Sequence, residues 1–233
     1  MAEKRTVQCR CGSTFEVDVP ECRDADVLAV WGQMITGAAC DNCADEARER
    51  RERIEREQAW RICVEQTRIP ENFRHYDKNL GNTALIEWMR THYMRSMYIS
   101  GDYGIGKTRA VCYAGIKLAK AGKSVLYLPA ADYARSVARQ WRDDGEDPVA
   151  EAINADVVIL DDLGKEKTTP RTAEALNSLV DARYRESKPI WVTTNYRLTI
   201  IADRMGEIGN SIARRLRYMC MDWDGETKHE GGV

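Results

Sequence analysis

The stretch Met97-Tyr98-Ile99-Ser100-Gly101-Asp102-Tyr103-Gly104-Ile105-Gly106-Lys107-Thr108 decides the fold. Its first four residues read as a short apolar strand, and residues 101–108 match the pattern G-x-x-x-x-G-K-[ST] in full. Lys107–Ala121 follows as a helix, closed by Gly122 just past its end. Strand, glycine loop and helix together form the context that this pattern needs. The glycines let backbone N–H groups turn inward around phosphate oxygens, and the helix N-terminus adds its partial positive charge. Lys107 brings a full charge to the β- and γ-phosphates, and the Thr108 hydroxyl can ligate Mg²⁺. The expected ligands are therefore ATP and Mg²⁺. The expected contacts are Asp102, Tyr103, Gly104, Ile105, Gly106, Lys107, Thr108 and Arg109.

Working outward, short apolar runs alternate with helical patterns. Strands are expected at Met97–Ser100, Ser124–Leu128, Val157–Leu160 and Ile190–Thr193, and further helices at Asp132–Arg142 and Thr172–Glu186. Such alternation predicts an α/β fold with a parallel sheet covered on both faces. Tyr133, Val137 and Trp141, spaced by four, read as a core stripe. The apolar run 155–160 delivers Asp161 and Asp162 at its carboxyl end, where ligands bind in such sheets. Two adjacent carboxylates there are costly unless a cation is near. Asp161 is therefore expected in the Mg²⁺ shell, and Asp162 at the attacking water. Further on, Arg214, Arg215 and Arg217 fall within four positions. They read either as a basic helix face or as a finger reaching the nucleotide of a neighbouring subunit, and position alone leaves both open.

Charge and composition narrow the function classes. The 35 basic and 37 acidic side chains nearly cancel, so any nucleic-acid contact must be a local patch. The N-terminus MAEKRTVQCRC has no apolar h-region, and no run approaches the length of a membrane span, so a cytoplasmic protein is expected. In that setting clustered cysteines point to metal rather than disulfides. Cys9-x-Cys11 and Cys40-x-x-Cys43 form two knuckles that can close a tetrahedron around Zn²⁺, with Cys22 an alternative ligand. Residues 1–44 are thus expected to form a zinc-ribbon-like module, with a strand over 14–19. Residues 45–68, dense in both charges and free of Gly and Pro, are expected to be a linker helix, ended by Ile69-Pro70. The rest, 69–233, is the expected ATPase domain.

The succession GDYGIGKT, VVILDDLG, WVTTN and IARRLR resembles the AAA+ ATPases of the DnaC-like helicase loaders, with the related IstB transposition ATPases beside them. The resemblance runs from about Ile69 to Trp223. It implies a five-stranded P-loop core without a C-terminal helical lid. It also implies that the strand ending in Asn195 lies between those of the loop and the acidic pair, with Asn195 facing the γ-phosphate and the water. Matching ARRLR places the arginine finger at Arg215, with Arg214 as substitute. It further implies that Asp132–Asn154 is a helical insertion contacting single-stranded DNA, where Arg135, Arg139 and Arg142 share one face. The implied partners are single-stranded DNA, a replicative DNA helicase and further copies of the chain in an ATP-dependent oligomer. The implied role is helicase loading in DNA replication; the alternative is an IstB-like accessory ATPase of transposition. Asp162 departs from the glutamate usual in AAA+ proteins, which implies slow turnover. A P-loop kinase would instead need an arginine-rich acceptor lid after Asn195, and none follows.

Overall fold

The computed structural model describes residues 3–19, 39–75, 82–140, 148–166 and 169–225. The chain divides into two compact units, Met1–Ala59 and Trp60–Val233. In the first unit, β1 (Glu3–Gln8) and β2 (Thr14–Val19) pair antiparallel, with Gln8 opposite Thr14. Between them Cys9 N–H donates to Ser13 O and Gly12 N–H to Cys9 O, a tight turn in which Gly12 takes φ 91°. The second strand lies at the expected residues 14–19. Its partner β1 carries too many charges to read as a strand beforehand. Helix α1 (Asp41–Gln66) begins between the two cysteines of the second pair and spans the unit boundary.

Five parallel strands organise the second unit. They are β3 (Ser96–Gly101), β4 (Val125–Pro129), β5 (Val157–Leu163), β6 (Ile190–Thr194) and β7 (Cys220–Gly225), in the order β4-β5-β6-β3-β7. The sheet is the five-stranded parallel one expected, and β6 lies between the loop strand β3 and the acidic strand β5. The helices are α2 (Thr83–His92), α3 (Lys107–Lys120), α4 (Ala130–Gln140), α5 (Pro148–Asn154), α6 (Pro170–Arg185) and α7 (Leu198–Met219). Strand residues point alternately to the two faces. Met97, Ile99, Val157, Ile159 and Trp191 pack in one core with Val111 and Ile116 of α3 and Leu85 and Met89 of α2. Val158, Leu160 and Val192 pack in the other with Leu176 and Leu179 of α6 and Ile212 and Leu216 of α7. Both faces are covered, which is why these strands read as unbroken apolar runs.

Local chemistry sets the ends of the elements. Thr169 and Thr172 form a reciprocal capping box that starts α6 at Pro170. Thr67 ends α1: its hydroxyl donates to Val64 O and accepts from Ile69 N–H. The Thr67 carbonyl in turn accepts from Tyr127 N–H, occupying a donor of the edge strand β4. The fifth strand, β7, was not locatable beforehand. Its sequence CMDWDG carries two carboxylates, and as an edge strand it is only half-buried. Tyr133 and Val137 of the expected stripe are buried in the α4 core, while Trp141 lies outside the described residues, as do Arg142 and Cys22. No helix among the described residues is long and apolar enough to cross a membrane.

Candidate nucleotide site and thiolate cluster

The glycine loop joins β3 to α3 at the carboxyl end of the sheet. Gly106, the residue before α3, has φ 87°, which a side chain would strain. Gly101 is needed for space as well, since a Cβ there would meet Gly225 O at 2.6 Å. Lys107 is only 6% exposed, and its ammonium donates to Gly101 O, Asp102 O and Asn195 Oδ1, each at 2.8 Å. Burial pushes its pKa down, and the neighbouring Asp162 carboxylate works against that. A buried cation held by three oxygens is poised to exchange them for phosphate oxygens.

Thr108 donates to Asp161 Oδ1 at 2.9 Å, so the loop hydroxyl and the first acid of the pair share one point. Asp161 is 3% exposed, and burial raises its pKa. Three hydroxyls oppose that rise by donating to it: Thr193, Tyr127 (2.7 Å) and Thr108. Sequence reading missed Tyr127 and Thr193. Thr193 carried a faint signal as a neighbour of Asn195, and Tyr127 carried none, being one more apolar-strand residue. Thr193 also accepts from Asp162 N–H at 2.9 Å, fixing the backbone of the second acid. The Asn195 Nδ2 is buried and has no hydrogen-bond partner among the described residues, although Asn195 lines the same cleft as Gly104, Lys107, Thr108, Arg109 and Asp162. An unpaired buried donor beside a bound ammonium fits an anionic oxygen, and a carboxylate with a hydroxyl fits a hard divalent cation. The residues present therefore suit a nucleotide triphosphate with Mg²⁺.

Several further residues brace the frame. Arg204 donates to Gly164 O behind the acidic pair and lies 4.1 Å over the Tyr196 ring behind Asn195, tying together the turns after β5 and β6. Arg183 is fully buried and donates to the carbonyls of Ala155, Asp156 and Pro189, holding the approaches to β5 and β6. Burial lowers its pKa to about 10. Neither arginine had a sequence signal, because each acts on backbone carbonyls remote in the chain.

The expected finger is not at this cleft within its own chain. Arg215 is half-buried on α7 and donates to Asp181 of α6 through Nε at 2.8 Å and Nη2 at 2.7 Å. Arg214 and Arg217 are exposed. On α4, Arg135 and Arg139 are exposed opposite the buried Tyr133 and Val137, and Arg135 pairs with Asp132.

In the first unit the sulfurs of Cys9, Cys11, Cys40 and Cys43 all lie within 4.8 Å of one another. Cys11 and Cys40 approach to 3.6 Å. Four thiolates at a Zn–S distance of about 2.3 Å sit about 3.8 Å apart in a tetrahedron, so the cluster suits structural zinc.

The replicative helicase loader DnaC of Escherichia coli K12 is 25% identical over 139 residues, covering 55% of this chain and 55% of that protein. The chain thus spans about half the length of the curated relatives it matches. A second relative from the same strain, the uncharacterized protein YdaV, is 26% identical over 110 residues, covering 46% of this chain and 44% of that protein. Among solved structures, a putative primosome component from Streptococcus pyogenes serotype M3 superposes with a TM-score of 0.57 at 22% identity, over 70% of this chain and 94% of that one. The DnaC helicase loader superposes at 0.53 with 19% identity, over 66% of this chain and 99% of that one. The structural likenesses show a shared fold. The family described as IstB-like ATP binding protein matches residues 48–213, and with the loop, the acidic strand and the inserted β6 all inside that span, the chain belongs to this family of ATP-binding proteins.

Proposed function

We propose that this chain is an ATP-hydrolysing helicase loader of DNA replication, which binds single-stranded DNA as an ATP-dependent oligomer and delivers a replicative helicase. The observation that carries the reading is the convergence of Lys107, Thr108, Asp161 and Asn195 from three neighbouring strands in a chain similar to DnaC. In this reading Lys107 would hold the β- and γ-phosphates, and Thr108 with Asp161 would hold Mg²⁺, whose chemistry when bound would be to offset phosphate charge. Asp162 takes the proton of the attacking water, and Asn195 orients that water against the terminal phosphate. Residues 102–109 line the nucleotide. Arg215 serves a neighbouring subunit after leaving Asp181; Arg214, already exposed, is the substitute. Cys9, Cys11, Cys40 and Cys43 hold one zinc in a module over residues 1–44, followed by a linker helix and the ATPase domain from residue 69. The face carrying Arg135 and Arg139 follows the phosphates of single-stranded DNA. The protein works in the cytoplasm.

A second reading, an accessory ATPase of transposition, is favoured by the family match itself. Tagged full-length protein, purified from its native cells with ATP present, separates the two. Co-purification of a hexameric replicative helicase, with ATP-dependent binding to single-stranded DNA that Arg135→Glu with Arg139→Glu weakens, supports the loader. Co-purification of a transposase, with duplex binding instead, moves the assignment to the second reading. Neither partner and no DNA binding would sink both.

A further inference from the structure

The turn after the acidic pair brings a further cation, beside Lys107 and Arg109, into the nucleotide cleft, and no role described so far uses it. Asp162 has φ 59°, uncommon for a residue bearing a Cβ. Its carbonyl accepts from Lys165 N–H at 3.3 Å, so the chain reverses at once and returns the Lys165 side chain to the Asp162 carboxylate. Lys165 Nζ lies 2.8 Å from Asp162 Oδ2 and 4.8 Å from the centre of the Tyr103 ring. Tyr103, Lys107, Thr108, Asp162 and Lys165 line the same cleft.

This pairing conflicts with the role assigned to Asp162. The Lys165 ammonium occupies one oxygen of the carboxylate that is to face the attacking water. The conflict is resolved if the lysine has a better partner during turnover. We propose that Lys165 is a further phosphate-binding cation of this site: it neutralises Asp162 in the absence of nucleotide and moves to the terminal phosphate of ATP when that phosphate arrives. The inference rests on the ATPase reading above.

Three physical points support it. The Lys165 and Asp162 side chains are 36% and 38% exposed, so solvent screens the pair and it breaks readily. A terminal phosphate carries about two negative charges against the one of a carboxylate, so it draws the ammonium more strongly at equal distance. The lysine stem is flexible enough to turn between neighbouring anions, and the Tyr103 ring face offers the ammonium a favourable surface along the way. ADP lacks the terminal phosphate, so with ADP bound Lys165 stays on Asp162. The residue thus distinguishes triphosphate from diphosphate and frees Asp162 only when there is a bond to hydrolyse.

The test is equilibrium titration of full-length wild type, Lys165→Gln and Lys165→Arg with ADP and with a non-hydrolysable ATP analogue. Lys165→Gln should bind the analogue about tenfold more weakly, the lower end for one lost charge-assisted hydrogen bond, with ADP affinity unchanged. Lys165→Arg, keeping charge and reach, should restore most of the preference. Wild type favouring the analogue while Lys165→Gln keeps the wild-type ratio would overturn the Lys165 role alone. So would an equal loss for both nucleotides together with a lowered melting temperature, the mark of a purely structural lysine. Wild type binding neither nucleotide would remove the ATPase reading and this role with it.

Discussion

The two units of the chain reach a defined structure by different means. In Met1–Ala59 the described residues offer a two-stranded hairpin and a charged, solvent-exposed stretch of helix, and the buried apolar side chains are the cysteines Cys9 and Cys40. An isolated hairpin is marginal at best in water. In Trp60–Val233 a five-stranded sheet is covered on both faces by apolar cores, with Ile99, Ile159, Leu160, Leu179 and Trp191 fully buried. Each such side chain contributes roughly 1.5–3 kcal/mol. The difference shows what a core allows. A unit with two apolar layers can bury Lys107, Asp161 and Arg183, groups that cost stability, and hold them where chemistry needs them. In the first unit the described residues show no such apolar layer, and the buried groups there are the thiols of a four-cysteine cluster that suits a metal.

Metal removal should give the largest effect and test that contrast most directly. Structural zinc supplies on the order of 10 kcal/mol or more to small thiolate modules. Purified protein should carry about one zinc per chain. Stripping it, or replacing Cys40 and Cys43 with Ser, should abolish amide-exchange protection over residues 3–19 and leave the melting transition of the ATPase unit in place. Zinc-free protein with an intact hairpin would break the comparison. Full zinc in the double variant would move the ligands elsewhere.

The next effect asks whether the second unit is complete on its own. With a trans-acting arginine, Arg215→Ala should bind ATP nearly normally and hydrolyse it about 10³-fold more slowly. Mixing it with Lys107→Ala should restore part of the activity, because some interfaces then pair an intact loop with an intact arginine. The contact with Asp181 sharpens the expectation. If Arg215 serves only to fasten α7 to α6, Arg215→Ala lowers the melting temperature, mixtures stay inactive, and Arg214→Ala carries the kinetic defect instead.

Arg183→Met gives the smallest effect of the three. The change keeps apolar bulk but strips the donors from the Ala155, Asp156 and Pro189 carbonyls, for a loss of about 3 kcal/mol in the ATPase unit. Denaturant titration checks it. No change in midpoint would mean that water replaces the guanidinium and that this buried charge braces nothing.

Local pattern carried a large part of this protein. Strand, glycine loop and helix are contiguous in residues 97–121, so hydrogen bonding and periodicity declare them without tertiary help. The acidic pair was visible for the same reason, at the end of an apolar run, and the cysteine pairs by their spacing. With the resemblance those segments carried, the fold class and the family were legible from the sequence. What only the tertiary structure decided concerns partners far apart in the chain. Tyr127 donates to Asp161 from 34 residues away, and Lys107 reaches Asn195 across 88. Arg215 meets Asp181 because α6 and α7 pack together, and β7 pairs with β3 although its own residues barely mark it as a strand. Periodicity reports which face of an element turns inward, whereas the identity of the group waiting there is set by the sheet order and the packing of the layers.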